Sequence, residues 1–351
     1  MRTIIELFEK AVTNYPDNVY LWEKRNGKYE GTTYKETREK VLNLAAGLVN
    51  IGLEKGERAA LLADGRNDWI ISELGMIYAG AINVPLSVRL ETNELAFRLK
   101  HSGTKMIFVS KQQAAKIEEI RNDLPDLQYV VYLDGKENPA SQDLIYTNLI
   151  EKGKELRKTD AEKFDAIWKN IQPNDVMNIS YTSGTTADPK GIMLTQLNYA
   201  ANVVQSNGLL DLQTDWVTLA ILPWDHAFAH TCCLYVFMYK GSGVASVEVG
   251  NTPLETLKNI PKNIKEIKPT LMMSVPAYSK AFRKNIEAGI KAKGETTYNL
   301  FEFALKVAYK YNGTGYDKGK GFRFLLKPLL SVFDKILFSK IREGFGGNLQ
   351  F

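Results

Sequence analysis

Between Thr182 and Lys190 the chain packs four side-chain hydroxyls, a glycine and a lysine into nine positions, Thr182-Ser183-Gly184-Thr185-Thr186-Ala187-Asp188-Pro189-Lys190, followed by Gly191. Serine and threonine hydroxyls, with backbone amides freed by glycine, can ring a polyphosphate, and a lysine at the far end sets a compact charge against its oxygens. A nucleoside triphosphate is the ligand such a loop suits. The apolar run Val176 to Tyr181 precedes the loop and a helical pattern opens at Thr195, so strand, loop and helix are expected in that order. A polar surface loop is the plainer alternative, and the crowding of hydroxyls between two regular elements argues against it.

The P-loop of nucleotide hydrolases, G-x-x-x-x-G-K-[ST], has the same reach from Gly184 to Lys190. Pro189 stands where its second glycine is required, and Gly191 where its magnesium-binding hydroxyl is required, so that motif is excluded. A second group lies in Leu222-Pro-Trp-Asp-His226-Ala-Phe-Ala-His230. The i, i+4 spacing of His226 and His230 permits a metal pair, but no Glu follows His226 and no third ligand is evident, so no metal is assigned to protein ligands. Two histidines satisfied by hydrogen bonds at a helix start are the alternative.

The segment Tyr181 to Gly191 resembles the phosphate loop of the adenylate-forming superfamily, which includes acyl-CoA synthetases, luciferase-like enzymes and peptide-synthetase adenylation domains. Thr182, Ser183, Gly184, Thr185, Thr186 and Lys190 match that loop, and Ala187 departs from a common glycine. The resemblance implies that these residues hold the β- and γ-phosphates of ATP while a carboxylate attacks the α-phosphate. It also implies that Lys190 is catalytic, that Mg²⁺ accompanies the ATP, and that coenzyme A takes the acyl group. His226 matches a family histidine that orients the substrate carboxylate, and His230 occupies a place where some long-chain enzymes carry an aromatic gate. In Lys268-Pro-Thr-Leu-Met-Met-Ser-Val275-Pro276-Ala-Tyr278 the family's Val-Pro stretch makes Val275, Ala277 and Tyr278 candidates to line an acyl pocket; core packing explains them nearly as well. Thr195-Gln196-Leu-Asn198 matches too, with Gln196 at a common histidine position, and is assigned no chemistry.

The resemblance runs along essentially the whole chain, and "FSKIREGFGGNLQF" most resembles long-chain fatty acyl-CoA synthetases. The family's Tyr-Gly-x-Thr-Glu segment, its ribose-binding aspartate and its C-terminal domain with a second lysine do not occur before Phe351. The expectation is therefore an N-terminal portion of a long-chain fatty acid–CoA ligase, inactive by itself, with fatty acid, ATP and coenzyme A as partners. Adenylation of an aryl or amino acid, or a non-catalytic nucleotide-binding protein that kept the loop, are the alternatives.

The elements that must position these residues alternate along the chain. At 351 residues, 44% hydrophobic and 24% charged, the composition is that of an ordinary globular protein with more than one core. A net charge of +5 spread among 40 acidic residues gives no nucleic-acid footprint. The absence of a long apolar run or a secretory leader points to the cytoplasm. Adjacent Cys232 and Cys233 read as core thiols. Ile4 to Val12 has a helical face, Asn26-Gly27 lies between two short runs as a hairpin turn, and Thr33 with Glu36 forms a capping box. Short buried strands are expected over 59–63, 106–109, 129–133, 176–181, 217–222 and 271–275, with helical patterns between them, and a further strand at "NLQF". The fold class is α/β, mostly parallel sheets covered by helices, like the N-terminal domain of an acyl-CoA synthetase. The polar stretch 136–170 suggests a boundary between subdomains 1–150 and 151–351. From 318 to 345 aromatic and aliphatic residues interleave with lysines and arginines; such a helix can lie peripherally on an anionic membrane or pack into a domain.

Overall fold

The computed structural model describes residues 1–182, 188–316 and 318–350, so Ser183, Gly184, Thr185 and Thr186 of the candidate loop lie outside the described residues. Two compact units, Met1–Asn259 and Ile260–Phe351, divide the chain. In the first unit the strands are β1 (Val19–Arg25), β2 (Lys28–Thr33), β3 (Arg58–Leu62), β4 (Ile82–Pro85), β5 (Met106–Val109), β6 (Tyr129–Tyr132), β7 (Asp143–Ile145), β8 (Val176–Thr182), β9 (Lys190–Thr195), β10 (Val217–Ala220) and β11 (Gly243–Ser246). Its main helices are α1 (Ile4–Asn14), α2 (Tyr34–Asn50), α3 (Asn67–Tyr78), α4 (Thr92–Ser102), α5 (Ala114–Ile120), α6 (Tyr146–Thr159), α7 (Ala161–Trp168) and α8 (Gln196–Leu209).

Seven strands form one sheet in the order β7-β6-β5-β3-β4-β8-β9, parallel except for the last pair. A second sheet has the order β10-β11-β1-β2. The parallel strands are short and nearly all apolar, with Ala59–Leu62 and Met106–Val109 fully enclosed, as required of strands covered on both faces by crossover helices. The β1–β2 hairpin turns at Asn26 (φ 49°) and Gly27 (φ 79°), the paired left-handed residues of the expected turn. Thr33 and Glu36 close the capping box at the start of α2.

Three expectations are corrected. The polar stretch 136–170 is no boundary: it builds β7, α6 and α7, and α6 buries Tyr146, Leu149 and Gly153. A Cβ on Gly153 would overlap the Asn43 carbonyl oxygen, and one on Gly47 would overlap that of Leu149, so two glycines let α2 and α6 cross backbone to backbone. Lysines and glutamates on the outer face of α6 hide this docking from a composition reading. The division between units falls instead after Asn259. Residues 271–275 make only an isolated bridge at Leu271 before the helix Pro276–Lys291 begins, and residues 348–350 form no strand, although the Gln350 amide donates to the Thr270 carbonyl at 2.8 Å. The third concerns the loop, which β9 separates from the helix expected to follow it.

In the second unit, the 318–345 stretch is broken into short turns and helices, with Pro328 in the first turn of the helix Lys327–Phe333. Phe322 is 88% exposed and Leu325 63%. No helix among the described residues is long and apolar enough to cross a membrane.

Candidate active site

Thr182 ends β8 and Lys190 begins β9, and the two are cross-strand partners in an antiparallel ladder. Thr182 and Lys190 thus bracket the loop as paired strand ends, and the element that follows it is a strand rather than a helix. Directly paired residues project from the same face of a sheet, so a hydroxyl and an ammonium stand side by side at the mouth of the loop, both exposed. Because β8 runs parallel to β4, this mouth lies on the carboxyl edge of the sheet, where α/β folds place their ligands. The helix after β9 is α8, whose N-cap Thr195 forms a capping box with Asn198. Gln196 is structural: its buried Oε1 accepts the Ile4 amide at 3.0 Å.

His226 is the N-cap of the short helical turn Ala227–Ala229 that follows β10. Its Nδ1 accepts the Phe228 amide at 3.3 Å, which leaves Nε2 as the nitrogen that can carry a proton outward from the exposed ring. An Nε2–H so placed can donate to a carboxylate oxygen. Asp225 beside it and Asp64 at the end of β3 are half-buried, and burial raises both carboxyls above the usual carboxylate range while Arg89 pulls them down. Sequence reading missed these three charged neighbours because each sits in a different loop. Strand ends from both sheets bring them together: Asp64 and Arg89 follow β3 and β4 of one sheet, and Asp225 follows β10 of the other.

His230 is not exposed as a gate would be. It is fully buried, with its ring stacked 6.0 Å from Tyr235 and tilted 5.1 Å from Trp69. Its Nδ1 lies 3.2 Å from the Tyr199 hydroxyl and its Nε2 3.3 Å from Oε1 of Glu73. Burial holds the imidazole neutral, its pKa lowered to about 3, and raises the Glu73 carboxyl to about 7. The two histidines share a turn, the His230 amide donating to the His226 carbonyl at 3.2 Å, but their side chains serve different surroundings.

Val275, Ala277 and Tyr278 belong to the second unit, at the start of the helix Pro276–Lys291. Val275 and Tyr278 are half-buried and Ala277 is exposed. Their neighbours Ser274 and Ser279 help to line an apolar cavity of about 480 Å³ walled by Met272, Phe282, Phe301 and Phe345. That cavity carried no sequence signal, since its walls come from segments some 70 residues apart. Among the described residues no group of three or more His, Cys, Asp or Glu could hold a metal ion.

The profile of the AMP-binding enzyme family matches residues 8–325. The chain is 28% identical to long chain acyl-CoA synthetase 8 of Arabidopsis thaliana over 364 residues, covering 99% of this chain and 48% of the relative. It is 27% identical to the long-chain-fatty-acid–CoA ligase ACSBG1 of Rattus norvegicus, covering 98% and 47%. This chain thus spans about half the length of the curated relatives it matches. Among solved structures, its fold is similar to a long-chain-fatty-acid-CoA ligase (FadD1) from Archaeoglobus fulgidus, at a TM-score of 0.67 and 18% identity over 82% of this chain and 55% of that one. The N-terminal domain of FACL13 from Mycobacterium tuberculosis gives 0.65 at 23% identity, over 79% and 64%.

Proposed function

The chain belongs to the AMP-binding enzyme family, and from that premise we propose that this protein activates a long-chain fatty acid with ATP and passes the acyl group to coenzyme A. The observation that carries the proposal is the pairing of Thr182 with Lys190 at the mouth of a hydroxyl-rich hairpin on the carboxyl edge of a parallel sheet. In the first half-reaction a carboxylate oxygen bonds to the α-phosphorus and the bond to the bridging oxygen of the β-phosphate breaks, releasing pyrophosphate. The coenzyme A thiol then attacks the acyl carbonyl and AMP leaves. Lys190 offsets the charge gathering on the departing pyrophosphate, Thr182 with Ser183, Gly184, Thr185 and Thr186 holds its oxygens, and His226 donates from Nε2 to orient the carboxylate. Mg²⁺, when bound with ATP, would screen the phosphates; the described residues offer it no ready-made cluster.

A long hydrocarbon acid is favoured over an aryl or amino acid by the similarity to long-chain acyl-CoA synthetases and by the apolar cavity beside Ser274 and Ser279. ATP–pyrophosphate exchange by the full-length protein across fatty, aryl and amino acids tests this choice, and exchange confined to aryl or amino acids would overturn it. If Lys190 neutralises the leaving group, Lys190→Ala should slow exchange by ~10²-fold or more, the scale of removing one charge-stabilising group. Lys190 is exposed at the start of an edge strand, so the melting temperature should hold. Wild-type exchange in this variant would remove the loop from the mechanism.

A further inference from the structure

Beneath the candidate site a circuit of buried polar side chains joins β8 to the turn that carries His226. Glu73, on α3, is fully enclosed, and its Oε1 accepts the Asn83 amide at 2.8 Å. Asn83 on β4 pairs in register with Asn178 on β8, both fully buried. The Ser180 hydroxyl donates to Asn178 Oδ1 at 2.7 Å and lies beside the Tyr199 hydroxyl. Tyr199, on α8, meets Nδ1 of His230 at 3.2 Å, and Nε2 of His230 returns to Glu73 at 3.3 Å. The Tyr235 hydroxyl also lies near Glu73.

Two features mark this circuit as more than core. A carboxyl, an imidazole and two amides in a water-free interior cost more than apolar groups of the same size, and a partly satisfied network is the costliest arrangement. Oε2 of Glu73, Oδ1 of Asn83, Nδ2 of Asn178 and Nε2 of His230 have no hydrogen-bond partner, so His230 meets Glu73 by close approach without a bond. The circuit also touches the only two segments that carry the proposed chemistry. By strand alternation Asn178, Ser180 and Thr182 share one face of β8, so the polar face that begins in the circuit ends at the loop mouth. His230 opens a π-helical turn, His230–Tyr235, directly after the short helix capped by His226, and such turns in α-helical surroundings recur at functional sites.

We infer that Glu73 and His230 are positioning residues that hold the His226 turn and the polar face of β8 in fixed register, so that histidine and phosphate loop act on one substrate. What the register serves rests on the adenylation reading; that it exists does not. The groups facing Glu73 and His230 are Asn83 from β4, Tyr199 from α8, Tyr235 and His226 from the histidine turn, and Trp69 and Tyr20 from α3 and β1.

Two measurements test the inference. With only three histidines in the chain, the ring Cε1–H signals of His101, His226 and His230 can be followed by NMR in the 351-residue protein, and hydrogen exchange can be followed across residues 176–195. Glu73→Ala should move the His226 signal and speed exchange in β8 and β9, while β5 and β6 stay protected. Glu73→Gln, which keeps the shape and an oxygen for Asn83, should restore most of both. In the full-length protein Glu73→Ala should lower kcat for pyrophosphate exchange by ~10²-fold with little change in KM for ATP, as expected for misplacement near 1 Å, and the Gln variant should recover it. If Glu73→Ala fails to fold, Tyr199→Phe removes only the hydroxyl facing His230 and should still shift the His226 signal. Unchanged His226 and β8 signals in a folded Glu73→Ala or Tyr199→Phe variant would overturn the inference. A wild-type protein without exchange on any acid would instead overturn the adenylation reading and leave the spectroscopic result to decide the positioning role.

Discussion

Burial shifts Glu73 and His230 in opposite directions, which gives their contribution to stability an unusual pH profile. Burial raises the Glu73 carboxyl from its ordinary 4.5 to about 7 and lowers the His230 imidazole from 6.5 to about 3. Between pH 3 and 4.5 the unfolded pair binds two protons and the folded pair one, so stability rises with pH. From 4.5 to 6.5 each state binds one, Glu73 holding it when folded and His230 when unfolded, and the contribution is flat. Between 6.5 and 7 only the folded pair holds a proton, and stability falls as pH rises. Glu73→Gln should unmask His230, so that stability relative to wild type climbs through the 4.5–6.5 window with a slope of at most about 1.4 kcal/mol per pH unit. Urea unfolding of both proteins at half-unit pH steps reads this difference, and parallel curves would show that folded Glu73 holds no proton in this window. Thr182 and Lys190 stand out in the sequence as candidates by residue type and spacing, and His226 by family resemblance. Glu73 does not, since a lone glutamate reads as surface. The missed signal was its company: eleven of the twelve residues of α3 are buried, and a helix enclosed on all sides must enclose its acid too.

At the scale of elements, periodicity revealed the long helices, caps revealed where they start, and apolar runs revealed β3, β5, β6, β8 and β10, while other short strands of the two sheets escaped. The hairpin at Asn26-Gly27, the helix face of α1 and the box at Thr33 follow from local chemistry and stand as expected. β4, β7, β9 and β11 did not declare themselves, because Pro, Gly or polar residues break up their apolar runs and they owe their state to the neighbours they pair with. The hairpin form of the phosphate loop was hidden for the same reason. Docking of α6 on α2 was invisible for a different one, as it depends on what is absent at Gly47 and Gly153. Overpacking that crossing with Gly153→Ala should cost about 1–3 kcal/mol, since the added carbon meets backbone that cannot rotate away. Gly208, exposed near the end of α8, has nothing within 4 Å of a built Cβ, and Gly208→Ala should be neutral or stabilise by up to about 1 kcal/mol through helix propensity alone. Opposite shifts in urea midpoint for the two glycines are the expected result. A Gly153→Ala protein as stable as wild type would mean that the helices can part without loss.

For the whole molecule, the two units differ in how much apolar surface they enclose. In the first, both sheets are covered, and a cluster running from Ala60 through Ile107 to Tyr132 is sealed from solvent. The second has a small cluster of Ala304, Val307 and Phe333. Its helix Pro276–Lys291 buries no residue, and Phe303, Tyr309, Phe322 and Phe324 are each more than half exposed. Burial sets local stability, so the second unit should open at lower denaturant than the first. The sequence supplies the reporter: all five tryptophans, Trp22, Trp69, Trp168, Trp216 and Trp224, lie before residue 260, and Trp69 and Trp224 are buried. Tryptophan fluorescence therefore follows the first unit alone, whereas helical circular dichroism follows both, with Pro276–Lys291 and Glu295–Asn312 adding two long helices from the second. In a urea titration the dichroism should lose part of its amplitude before the fluorescence moves, and the two curves should merge only in the later transition. Superimposable curves would mean a single cooperative unit and would overturn the ranking. The consequence reaches the proposed chemistry, because Val275, Ala277 and Tyr278 sit in the weakly enclosed unit while Thr182, Lys190 and His226 sit in the strongly enclosed one. Mild urea should then disturb the apolar cavity of the second unit before it touches the phosphate hairpin, and hydrogen exchange across 272–305 and 176–195 in the same samples measures that order directly.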